Sequence, residues 1–220
     1  MELKYKNWKD ISVNTFQKLQ DRLKNVELTT DDTMNNINYN IIMLSVLCDV
    51  DEDIIVNLTT SEFSRLVNEC KFMCDIPKVK IQDKYVINGN EYNVFLTLKD
   101  MNVAQYIDFQ TLYKEQEKYF KELLACFLIP KGKKYGEGYK IDDVVNEIGE
   151  HLSIVDARSI MFFFVLLYQS LTKVTLNYSI KKIRKELKKE KNEEKREQMK
   201  QAIAEIERAR DLIVNGTGFI

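Results

Sequence analysis

The residues that could do chemistry are few and widely spaced. Cys70 and Cys74 stand four apart, one helical turn, which could aim two thiolates at one metal ion. A zinc site needs two more ligands, and the chain offers one histidine, His151, and two remote cysteines, Cys48 and Cys126. The four thiols are therefore expected to be reduced and mostly buried, as in a cytosolic protein. Asp49, Asp51, Glu52 and Asp53 resemble the start of a calcium loop. The required glycine is missing, however, and Ile54, Ile55 and Val56 stand where ligands must continue. That run fits the acidic first turn of a short helix, opposing the positive end of its dipole. Lys131–Gly138 carries three glycines and three lysines, but Gly132-Lys133 leads into Lys134-Tyr135 and follows helical sequence. It fails as a phosphate loop and reads as a flexible exposed connection or a partner-contacting loop. His151 has no Ser, Cys or Asp partner at a usable spacing and is expected to end a helix. No catalytic, cofactor or metal residue is predicted, and the chain is expected not to be an enzyme.

One charged stretch carries more. Between Lys181 and Lys191 lie seven basic residues and two glutamates, a local charge of +5. Lys181, Lys182, Arg184, Lys185, Lys188 and Lys189 could contact a partner, or DNA phosphates without sequence preference. Against DNA, the stripe runs into Glu193-Glu194 and lacks interleaved aromatics, so a solvated helix face is favoured. Phe219 and Ile220 form an apolar tip that could also meet a partner.

Those residues must be held by a folded domain. With 220 residues, 45% of them apolar and 30% charged, the chain can bury a core and is not disordered. A net charge of -1 excludes a general polyanion binder, and seven glycines with two prolines leave little turn material for an all-β fold. The basic N-terminus has no apolar core behind it, so no signal peptide is expected. The apolar run from Ser159 to Thr172 lies between Arg158 and Lys173, too short to span a bilayer, and no membrane span is expected.

Along the chain, Ser12 caps a helix with Val13, Phe16, Leu19 and Leu23 on one face. A polar connection from Glu27 to Asn38 precedes a core helix over Tyr39 to Cys48. Thr59 and Glu62 form a capping box ahead of Phe63, Leu66, Val67 and Cys70. Lys84 to Leu96 is a β-hairpin turning at Asn88-Gly89, with Tyr85 opposite Tyr92. The hairpin must dock on the helices or be joined by a third strand, which Lys78 to Gln82 could supply. A helix from Asp100 or Asn102 carries Val103, Ile107 and Gln110, with Tyr106 and Phe109 beside them, and resumes from Tyr119 towards Pro130. Ile141 to Leu152 is helical, and Ser153 caps a long segment expected to be buried from Val155 to Leu176. Beyond it the apolar positions thin to Ile183 and Leu187, vanish over the eleven residues from Lys188 to Gln198, and return at Met199, Ile203, Ile206 and Ile213. That pattern is a projecting helix, or a hairpin bent near Lys191-Asn192-Glu193 and steadied by Glu186 with Lys182 and Lys189. The predicted fold is mainly α: a helical domain with a hairpin over residues 1–176, a charged extension over 177–214, and a tail over 215–220.

Several stretches together resemble virion or tail-assembly proteins of crAss-like tailed phages that infect gut Bacteroidota. They are Trp8 to Ser12, Leu47 to Asp51, the Tyr85 to Leu96 hairpin, Ala104 to Phe109, and Leu124 to Pro130 with its Lys-Gly loop. The resemblance spans most of Trp8 to Leu171 and carries over no functional residue. It implies a multi-copy structural or cargo protein of the virion, near the portal or tail and ejected with the genome, with portal, tail or connector proteins as partners. Such a protein would be made in the host cytoplasm. Similar phage proteins act as tail-assembly chaperones that leave before the virion is complete.

Overall fold

Helix starts in this chain are written in its short polar side chains. In the computed structural model, which describes all residues except 76, 79, 96–100, 117 and 216–220, Ser12 Oγ accepts the Thr15 N–H and opens α1 (Val13–Lys24). Asp31 Oδ1 accepts from the Thr33 and Met34 amides and opens α2 (Asp32–Cys48). The expected polar connection is therefore shorter than its composition suggested, and its asparagines belong to α2. Asn35 explains why: it is buried, and its amide exchanges hydrogen bonds with the Thr29 backbone, so a polar residue inside the helix is satisfied. After α2, Asp49 takes the left-handed conformation and its N–H caps the last turn. The acidic run is a short helix as expected, α3 (Glu52–Val56). Thr59 and Glu62 form the predicted capping box on α4 (Thr60–Glu69), which tightens into a 3₁₀ turn over Cys70–Cys74.

Two compact units divide the chain, Met1–Ile160 and Met161–Ile220. In the first, Leu19, Ile42 and Val46 pack with Leu23, Val26, Met43 and Met73. Trp8 is driven in beside them. Its indole N–H is shared by the Phe72 carbonyl at 2.7 Å and the Asp75 carbonyl at 2.9 Å, while its rings meet Phe16 and Phe72.

The hairpin is β1 (Lys84–Ile87) and β2 (Asn90–Val94), with Tyr85 opposite Tyr92 as predicted. Asn88 and Gly89 both have positive φ, the conformation a two-residue turn of this hand requires. Tyr85, Ile87, Tyr92 and Val94 point into the core. The third strand, however, is β3 (Leu128–Pro130), paired antiparallel with β2; the described residues between Lys78 and Gln82 form no strand. The reason lies upstream. Helix α5 (Val103–Tyr113) and the short α6 (Phe120–Ala125) end before a stretch so apolar that every side of it must be covered, and an extended strand beside β2 covers it. Leu123 to Ile129 are all fully buried.

In α5 the burial keeps Phe109 of the sequence pattern and departs from the rest. Gln105 and Phe109 face inward, Gln105 donating to the Cys126 carbonyl and Phe109 stacking edge-on against Phe127. Val103, Tyr106 and Ile107 are exposed. Helix α7 (Ile141–His151) packs on α6, and its Glu147 takes the Tyr92 hydroxyl at 2.6 Å and the Asn90 amide at 2.7 Å, docking the hairpin. Ser153 caps α8 (Ile154–Leu187) through the Asp156 N–H. The Ser12 and Ser153 caps are themselves tied as a β-bridge, with the Ile154 N–H on Ile11 O and the Val13 N–H on Leu152 O.

In the second unit α8 reverses after Leu187 into α9 (Glu193–Asn215). The C-terminal extension is thus folded back, at the bend its sequence marked. Glu190 Oε1 accepts the Lys191 and Asn192 amides, and Asn192 Oδ1 accepts the Lys195 N–H. Ile180 and Ile203 are buried in this hairpin. The expected Glu186 pairs do not form among the described residues; Arg184 instead reaches across to Glu207 at 2.8 Å.

Candidate interaction surfaces

The basic face of the second unit follows from helical spacing. Lys181, Arg184 and Lys185 on α8 and Lys188, one residue past its end, recur at i, i+3, i+4 and i+7 and gather on one side. They line a groove of about 410 Å³ with Ile180 and, from α9, Glu207. Lys182 and Lys189 do not line it. The six basic residues singled out in the sequence are therefore two sets, four on the groove and two beside it. Arg184 is held by Glu207, whereas Lys181, Lys185 and Lys188 have no ion pair among the described residues. Phe219 and Ile220, the other candidate contacts, lie outside the described residues.

A second surface precedes the groove on the same helix. Val155 to Leu176 is not buried throughout. Ile160, Met161, Phe164 and Val165 are, but Phe162 (58% exposed), Leu166 (48%), Val174 (63%) and, past that span, Tyr178 (69%) face outward at steps of four or eight. By length and composition alone α8 is also apolar enough to cross a membrane, since Lys173 is the lone charge between Ser159 and Leu176. The bracketing charges thus set a looser limit than the sequence argument assumed. Core helices pass the same test, and α8 buries one of its faces.

The Lys131–Gly138 loop is anchored rather than merely exposed. Tyr135 turns inward, donates its hydroxyl hydrogen to Asp108 Oδ2 at 2.9 Å, and lies 3.7 Å from Cys126 Sγ. The neighbouring turns close through Lys133 N–H on Pro130 O and Glu137 N–H on Lys134 O. Burial raises the Tyr135 hydroxyl's pKa, and the Cys126 thiol and the Asp108 carboxylate add to it. The tyrosine therefore stays protonated as a structural pin.

The remaining chemistry-bearing residues stay apart. His151 ends α7 as expected and faces solvent, 3.6 Å from Glu150. It borders a shallow hollow with Asn88, Asp143, Asn146 and Glu147, whose carboxylate already serves the hairpin. No group of three or more His, Cys, Asp or Glu among the described residues could hold a metal ion.

The thiols differ sharply. Burial pushes Cys70 and Cys126 up to about 12, and Cys48 is raised for the same reason, while Cys74 is exposed. Thiolate is the reactive form. Titration of the native protein with a thiol reagent at pH 8 is expected to label Cys74 first. Cys70 and Cys126 should be labelled only as the chain unfolds, at least tenfold more slowly. For each buried thiol the folded pKa lies above the unfolded one. Its contribution is complete below about pH 9 and is lost as pH rises towards 12. Rapid labelling of Cys126 in the native state would contradict the placement of Tyr135 over it. Comparisons of this chain with protein-family models, curated proteins and solved structures give no match.

Proposed function

We propose that this chain is a non-enzymatic structural or cargo protein of a tailed-phage virion, located at the portal or tail and acting through protein contacts. The observation that carries the reading is the outward apolar row Phe162, Leu166, Val174 and Tyr178, which continues towards the basic groove of the same helix. Solvent-facing apolar rows of this kind are covered in use by another macromolecule. The exposed Val103, Tyr106 and Ile107 of α5 supply a second such face. The resemblance of Trp8 to Leu171 to crAss-like virion proteins supports the setting.

Purified virions examined by quantitative mass spectrometry test it. Presence at a fixed copy number relative to the portal is the expected result. Absence from virions, with the protein found on tail precursors in infected cells, would replace it with the tail-assembly chaperone reading. The three lysines without an acidic partner on the groove favour one other reading, a DNA-binding accessory protein, which requires duplex binding that weakens steeply with salt.

A further inference from the structure

The groove in the second unit has a more specific shape than a cationic stripe. Its lining is Lys181, Arg184, Lys185 and Lys188 with Asn177 and Ile180 beside them and, from α9, Glu207. Ile180 is only 4% exposed, so what the groove presents to a ligand is the lysine ammonium groups and, beneath them, their aliphatic stems. Val174 and Tyr178, about two turns and one turn before Lys181 on α8, supply the exposed apolar part of the surface.

We propose that this groove receives an acidic amphipathic helix from a partner protein, its carboxylates on Lys181, Lys185 and Lys188 and its apolar residues on the exposed Val174 and Tyr178. The inference rests on the reading of the chain as a protein-binding component and names the chemistry of the partner. Three observations favour a peptide over nucleic acid. The Glu207 carboxylate stands in the groove and occupies Arg184, the one guanidinium that could grip a phosphate with two bonds. Helix α9 opens with Glu193 and Glu194, which would repel a continuous phosphate backbone running along the hairpin. Finally, the exposed Val174 and Tyr178 beside the lysines match the alternating apolar and acidic residues of a helix and nothing on a phosphate chain. Lysine suits the carboxylates of a partner that must also let go, because its ammonium holds them as a point charge without a fixed fork.

The experiment uses the full chain and a fluorescein-labelled peptide of repeating Leu-Glu-Glu-Leu units, read by anisotropy at moderate salt. Binding is expected, and the same peptide with Gln for Glu should bind at least tenfold more weakly. K181E/K185E, on the groove, should weaken the acidic peptide by about tenfold or more. K182E/K189E, with the same change of charge off the groove, should stay within about twofold. K181R/K185R keeps the charge and should keep binding, and circular dichroism confirms that each variant is folded. No binding of the acidic peptide overturns the proposal, as does equal weakening by both charge-reversed pairs. Tighter binding of mixed-sequence duplex or single-stranded DNA, competing with the peptide, replaces it with a nucleic-acid interface. None of these results alters whether the protein is found in virions, so the two readings fail separately.

Discussion

Replacing Phe127 with alanine is expected to lower the stability of the first unit by about 3–5 kcal/mol. The ring is fully buried and meets Phe109 edge-to-face, with centroids 5.2 Å apart. It also stands where α6 gives way to β3, so the helix, the strand and α5 all lose a shared contact when it is removed. Deleting it leaves a cavity bordered by residues that cannot collapse freely, since Leu123 to Ile129 are buried on both sides of it. Trp8, the protein's one tryptophan, is itself in the first unit and reports that unit's unfolding by fluorescence. Urea melts should show a midpoint lower by more than about 1 M with an unchanged slope, since a slope of roughly 1–3 kcal/mol per M is ordinary. A change of less than about 1 kcal/mol would mean that Phe127 is not at the centre of this core.

The same segment shows why part of the fold was legible and part was not. Local signals survived where one side chain decides the matter. Ser12, Thr59, Asn102 and Ser153 each accept a backbone N–H at a helix start, and Asn88-Gly89 sets both the turn and the Tyr85–Tyr92 register. Those choices need no knowledge of the rest of the chain. The partner of β2 was not legible, because the unbroken apolar run through Ile129 fits a buried helix and a buried strand equally well. Pairing with Asn93 and Val94 selected the strand. Helix α5 shows the complementary failure. Its Val103, Tyr106 and Ile107 look like a core stripe, yet Gln105 turns inward because a backbone carbonyl, that of Cys126, is waiting for its amide.

The candidate surface was legible to a similar degree. Residues 181–191 announce a basic helix, but only the groove lining separates Lys182 and Lys189 from the other four. What spacing cannot supply is the opposite wall. Glu207 lies twenty-three residues beyond Arg184 and meets it only because α9 folds back. That one ion pair is half exposed, so it contributes little to stability and more to where α9 registers against α8. It also turns a stripe of positive charge into a groove of mixed character, and so shifts the expected partner from a polyphosphate to a protein.

Gly149→Ala is expected to destabilise the first unit by about 2–3 kcal/mol, although the same change in an open helix would stabilise it by up to roughly 1 kcal/mol. Gly149 lies in α7, and a Cβ there would come within 2.6 Å of Asn14 Oδ1 and 2.9 Å of its amide nitrogen. Asn14 cannot simply swing away: it is a short side chain on α1, and Lys121 Nζ from α6 holds the same oxygen at 3.0 Å. Helices α1 and α7 would have to separate, and that movement strains the bridge that ties the Ser12 and Ser153 caps together. A double-mutant cycle isolates the clash from helix propensity. Asn14→Ala alone removes the Lys121 contact and should cost about 1 kcal/mol. Asn14→Ala combined with Gly149→Ala should recover most of the loss, because the new methyl group then enters space the amide has vacated. Additive losses in the pair would show that the close approach of α1 to α7 is not what requires glycine at this position.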